Sequence, residues 1–254
     1  MKTDDRVGRL HALAARLDAC AAALEARKDS RCVFTRAYAL MTGRIAAELP
    51  ASDLDDPDWV VELAEAFAAK YFSALEAYDR GGEPPEAWQA VFATIGGRRT
   101  SVVEDLVFGV YAHIVRDLPH TLQELGLVDR SGRSRLRDHH TVTAIVGRAI
   151  DDVQRTVSDR YGPYVRWLDH VGEGYDEILT NYGIRLSRGM AWYNALRLDD
   201  PRSAASAAAA VEESTRVFVA QVMSPPLLSA RVVLRAARWV AALLRRWPDA
   251  SAAR

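Results

Sequence analysis

The chain has 254 residues, 49% of them hydrophobic and 26% charged, and its 33 Lys and Arg nearly balance its 34 Asp and Glu. That composition can bury a sizeable core, and the balance leaves no global field to favour nucleic acid or an anionic membrane. Only two cysteines are present, Cys20 and Cys32; residues 1–10 lack the apolar stretch of a secretory signal; and no apolar run nears the roughly 20 residues that span a bilayer. A cytoplasmic protein is expected.

Taken in order, nearly every segment has helical period. Residues 6–28 place Leu10, Leu13, Leu17, Ala21 and Leu24 on one face, and residues 31–49 continue with Val33, Ala37, Leu40 and Ile45 up to Pro50. Asp53–Pro57 reads as a loop and helix start, since proline suits the first turn and acidic residues suit the positive helix N-terminus. An amphipathic helix over 58–79 stops at Gly81-Gly82. Pro84-Pro85 opens a short helix through Trp88 and Phe92, which Gly96-Gly97 closes. A helix over 101–116 is expected to kink or break at Pro119, because proline lacks the donor and clashes with the preceding turn. After a polar loop at 128–135, a helix over 136–160 ends near Gly162-Pro163, and further helices cover 175–198, 203–222 and 227–247. No alternating run suggests a strand. The predicted fold is all-α: a bundle of about eight to ten helices around a central pocket, one domain over 1–254 with 203–254 as a hairpin packed onto it.

Chemistry concentrates on three helices. At about 100° per residue, His113 and Asp117 fall on the apolar arc of Leu106, Val110 and Ile114. Two ionisable groups facing a core are costly unless paired, liganded or functional, and four residues apart they can touch each other or one metal. On the next helix, Asp138 and His139 lie on the buried side with Val142, Ile145 and Val146, so the two pairs are candidates to meet; the alternative is that Asp138 is an N-terminal cap and His139 is half-exposed. The third helix carries Asn181, Arg185, Arg188 and Trp192 beside the apolar stripe Ile178, Tyr182, Leu186 and Tyr193. Arginine beside a core calls for a bidentate partner, either a bound anion or a buried carboxylate such as Asp117 or Asp138. The C-terminal helix is basic and amphipathic; docking on the domain, with Arg231, Arg235 and Arg238 in water, is favoured over membrane contact. No phosphate loop, Cys-x-x-Cys, nucleophile elbow or dinucleotide fingerprint is present.

The blocks FTRAYALMT (34–42), DLDDPDWVVELAEAFAAKYFSALEAY (53–78), PPEAW (84–88) and AHIVRDLPHTL (112–122) together resemble an actinobacterial family of helical proteins of unknown function, over roughly residues 30–200. AHI-x-x-DLP is the most specific block. In that family asparagines commonly stand at the places of Tyr111 and Val115; their replacement here implies a drier site suited to an apolar substrate. His113-x-x-x-Asp117, with His120 nearby, is also similar to the ligand pair of helical zinc phospholipases C and S1-type nucleases. That likeness implies a metal-dependent phosphoester hydrolase, but its second ligand helix is not found, since Thr143 and Ala144 follow His139 and His140 at four residues. Asp151, Asp152 and Asp159 are faintly similar to the acidic motif of class I terpene cyclases, although the wheel turns Asp151 and Arg155 outward to solvent.

The expectation is therefore a small-molecule enzyme of specialised metabolism, doing cyclase-, isomerase- or lyase-type acid–base chemistry on an apolar molecule that could carry an anionic group. His113, Asp117 and His139 are the candidate catalytic residues. Asp138, Asn181, Arg185, Arg188, Trp192 and Tyr111 are candidates to contact substrate. No cofactor is expected; a divalent metal on His113 and Asp117 is the alternative, and a non-enzymatic ligand-binding or scaffold protein the third reading.

Overall fold

A computed structural model describes residues 3–97, 100–162, 181–225 and 228–248. The fold is all-α, and the only β pairing among the described residues is one isolated bridge between Val128 and Ser134. In chain order the helices are α1 (Thr3–Ala26), α2 (Cys32–Glu48), α3 (Pro57–Asp79), α4 (Glu86–Gly96), α5 (Val102–Ala112), α6 (Leu118–Leu125), α7 (Leu136–Tyr161), α8 (Asn181–Asp199), α9 (Ala204–Met223) and α10 (Leu228–Leu244). Among the described residues no helix is long and apolar enough to cross a membrane.

Local chemistry sets the boundaries. Pro57 occupies the first turn of α3, and the Asp56 side chain accepts the Trp59 backbone N–H at 3.0 Å. Ser101 and Glu104 form a reciprocal capping box at the start of α5, a device that contributes about 1 kcal/mol. Gly126, at φ 80°, ends α6 in a conformation that costs a side-chain-bearing residue more.

Pro119 does not break its helix. Residues His113–Asp117 widen into a π turn, in which the Leu118 N–H donates to the His113 carbonyl, and α5 runs on into α6. The extra residue in the turn relieves the clash that a proline ring makes with the carbonyl of the preceding turn. The Thr121 hydroxyl donates to the Asp117 carbonyl at 2.7 Å, giving it a partner.

Two apolar clusters flank this continuous helix. One gathers Leu17, Phe34, Tyr71, Trp88, Phe92 and Phe108. The other gathers Leu10, Trp59, Leu118, Leu122, Val142 and Trp192. Helix α5 belongs to the first and α6 to the second, so the π turn lies on the boundary between them. Helix α2 packs so closely on α5 that a Cβ on Gly109 would sit 2.4 Å from Phe34 Cγ.

Two expectations about faces are corrected. On α8 the buried residues are Ile184, Arg188, Ala191, Trp192 and Ala195, while Tyr182, Leu186 and Tyr193 are exposed; Ile178 lies outside the described residues. On α10 the Arg238 guanidinium turns inward onto Glu104 and the Val222 and Met223 carbonyls, and Trp239 and Val233 face outward. A buried carboxylate and free helix-end carbonyls attract a guanidinium more strongly than a thin apolar stripe is held by the hydrophobic effect.

Candidate active site

The π turn carries His113 and Asp117, both buried. His113 Nδ1 lies 2.9 Å from Asp117 Oδ2. The same oxygen accepts Trp88 Nε1–H at 2.8 Å, and Asp117 Oδ1 accepts Arg116 Nη1–H at 2.9 Å. Arg116 is held in turn by Glu212 on α9, whose other oxygen accepts the Ala87 N–H at the start of α4. Asp117 is thus a carboxylate surrounded by N–H donors, a setting that suits an acceptor and repels a metal cation. Among the described residues no three His, Cys, Asp or Glu side chains converge on a metal position.

This pattern assigns the histidine tautomer. With Asp117 accepting at Nδ1–H, the single proton of the neutral ring is on Nδ1, and Nε2 presents a bare lone pair. Burial holds the His113 pKa below its ordinary value, outweighing the opposing pull of Asp117. Nε2 is buried and has no partner. Five aromatic rings surround the imidazole: Phe67 stacks on it at 3.5 Å with planes 10° apart, and Tyr38 meets it edge-on at 4.6 Å, with Phe34, Tyr71 and Trp88 beyond.

His113 lines a cavity of about 130 Å³, roughly ten times the space one water needs. Its walls come from α2 (Ala37, Met41, Ile45), α3 (Leu63, Phe67), α5 (Leu106, Val110), α7 (Val142, Val146, Ile150) and α8 (Ile184). The polar groups on this apolar wall are few: His113, Tyr38, Thr42, Gln154 and Arg188. The Tyr38 hydroxyl is closed off and unpartnered, and burial raises its pKa well above the ordinary phenol value.

Arg188 is the unusual member. It is 5% exposed, and among the described residues no carboxylate pairs with it, so the expected bridge to Asp117 or Asp138 does not form. Its Nε donates to the Thr143 hydroxyl at 2.8 Å, and Nη2 has no partner. Burial brings its pKa down to about 10. Its position is fixed from α7: Thr143 holds the guanidinium, and His139, one turn earlier, holds the Arg188 backbone carbonyl through Nε2 at 3.1 Å. The positions that fail a zinc-ligand pattern therefore form a clamp on an arginine.

The other candidates stand elsewhere. Asp138 does not meet His113, nor does it cap its own helix. Its two oxygens accept the backbone N–H groups of Asp55 and Asp56, at 2.8 and 2.7 Å, fixing the loop before α3. Two orphan backbone donors are a nearer and better match for that carboxylate than a distant imidazole. His139 is fully buried rather than half-exposed, packs 5.3 Å from the Trp192 ring, and has its pKa lowered well below the ordinary value, first by burial and then by Arg188. Neither His139 nor Trp192 lines the cavity. Tyr111 stacks on Phe218 at 4.1 Å, on another side of α5. Arg185 is exposed, because it lies on the outer face of α8. The side chain of Asn181 lies outside the described residues. Asp151 is exposed and Asp152 pairs with Arg44 and Arg155, as a solvated face does.

Over residues 10–225 the sequence matches the DUF5995 family, described as a family of unknown function. No curated protein and no solved structure matches the chain.

Proposed function

We propose that this chain, which belongs to the DUF5995 family, is a small-molecule enzyme in which His113 acts as general base on an apolar substrate enclosed in the cavity. The observation that carries the reading is the bare, unpartnered Nε2 on a neutral imidazole whose other nitrogen is fixed by Asp117. A proton taken by Nε2 would create an imidazolium that Asp117 stabilises from behind, as an orienting carboxylate does in other acid–base sites. The largely apolar, aromatic surroundings of the imidazole favour steps of cyclisation, isomerisation or elimination over hydrolysis. The His113 imidazolium would return the proton it took, and the Tyr38 hydroxyl, a donor held neutral by burial, would hold a developing oxyanion by hydrogen bond. On this reading AHI-x-x-DLP is the family's catalytic signature, because it supplies the histidine, the aspartate and the proline that follows the π turn.

The test compares wild-type protein with His113→Gln. Each is incubated with a small-molecule extract of its source cells, and consumption and product formation are followed by mass spectrometry. Wild-type protein should convert at least one compound that the variant leaves untouched, with both proteins equally folded by circular dichroism. Identical profiles from two folded proteins would refute the reading.

A further inference from the structure

Among the described residues, Arg188 is a buried guanidinium with no counter-ion. Ordinary packing does not leave such a group: a buried charge is paired or liganded, because leaving water unpaired costs several kcal/mol. Here the charge is not stranded by loose packing. Thr143 takes Nε and His139 takes the backbone carbonyl, so two residues of α7 hold the group in place while Nη2 stays unpaired. Arg188 lines the same cavity as Tyr38 and His113, and Nη2, the Tyr38 hydroxyl and His113 Nε2 are each buried without a partner. One cation and one hydroxyl balance a single negative charge, and the planar guanidinium fork matches a planar two-oxygen group. A phosphate would bring nearly two charges and a third oxygen, for which these groups offer no further cation. Most of the remaining wall is apolar.

From this we infer that the cavity takes a monocarboxylate with a hydrocarbon body, its carboxylate on Arg188 with Tyr38 as second donor, and its chain along Met41, Ile45, Val146 and Ile150. The inference deepens the proposed function by naming the substrate class, and it rests on that reading only for the identity of the cavity as the site. The acid group then fixes the substrate's register, and the hydrocarbon carries the reacting carbon past His113 Nε2.

The test measures binding to the full chain by calorimetry and thermal shift. The probes are hexanoate, octanoate, decanoate and phenylacetate, the alcohol of each, and octyl phosphate. At least one acid should bind about tenfold or more tightly than its alcohol. Arg188→Met should lose that tenfold preference yet bind the alcohol as wild type does, Arg188→Lys should recover part of it, and Tyr38→Phe should weaken the acid a few-fold. Equal binding of acid and alcohol, no binding of any acid, or tighter binding of octyl phosphate would each overturn the inference. Catalysis is scored separately by the His113-dependent conversion above. An acid-selective, Arg188-dependent cavity without that conversion upholds the substrate class and sinks the catalytic reading, and a conversion of neutral compounds without acid selectivity does the reverse.

Discussion

Replacing Arg188 by methionine should stabilise the ligand-free protein. Burial holds the guanidinium pKa down to about 10, well below its value in an unfolded chain, and a tenfold change in acidity corresponds to ~1.4 kcal/mol. The charged side chain therefore costs the fold about 3 kcal/mol. Because the folded value is the lower one, that cost is present in full at every pH below about 10 and is relieved only in strong base. Methionine fills similar space without the charge. The loss is one hydrogen bond to Thr143, about 1 kcal/mol, and Thr143 is not orphaned because its hydroxyl still donates to the His139 carbonyl at 2.7 Å. The expected net gain is about 2 kcal/mol, a rise in Tm of about 5 °C for a chain of this size. Urea and thermal unfolding followed by circular dichroism would measure it, with the urea m-value unchanged. A loss of about 1 kcal/mol or more would show that the fold itself satisfies the charge, and the case for an anionic ligand would fall with it.

Four further outcomes are expected. Acidification from about pH 7 to about pH 5.5 should lower stability, because His113 and His139 are held below their ordinary value by burial and take up protons only on unfolding. Fully buried Asp105, raised to about 7 by desolvation, works the other way, since it gains its proton in the folded state first; Asp105→Asn should therefore lose stability more steeply across that range, by up to ~1.4 kcal/mol per pH unit, and a shallower slope in urea titrations would contradict the assignment. Gly109→Ala drives a Cβ to within 2.8 Å of three Phe34 atoms, so it should cost about 1–3 kcal/mol; an unchanged Tm would mean that α2 and α5 are not so close. Asp138→Ala strips the acceptors from the Asp55 and Asp56 N–H groups and should cost about 2 kcal/mol without altering carboxylate binding; weaker binding at unchanged stability would restore this residue to the substrate site.

Helical periodicity is a local signal, and local features were legible. The pairing of His113 with Asp117 follows from four-residue spacing on one apolar arc. What depends on distant chain was not. Asp138 reaches a loop more than 80 residues away, and no spacing rule reports that. On α8, residue type misled: the stripe of Tyr182, Leu186 and Tyr193 is exposed, whereas the small residues Ala191 and Ala195 face inward, and an inward arginine among small residues was the readable clue to Arg188. The sequence pattern marks Phe67 as core and does not single out Tyr38, because an aromatic on an amphipathic helix is usually core. A hydroxyl in the series Phe34, Tyr38, Met41, Ile45 was the one mark that set Tyr38 apart. Pro119 points in sequence to a kink or a break, but the helix widens into a π turn and runs on, with bonds from the Leu118 N–H and the Thr121 hydroxyl.

The π turn also fixes a count. One residue more or fewer in a helix rotates everything beyond it by about 100° relative to what came before. Phe108 faces one apolar cluster and Leu118 and Leu122 face the other, so the extra residue keeps both faces in phase. Deleting half-buried Val115 would remove almost no packing surface, yet it would turn one of the two faces into solvent. Between Ser101 and Gly126 the number of residues is therefore constrained as well as the identity of the AHI-x-x-DLP side chains: within this family, gaps should be absent from this stretch.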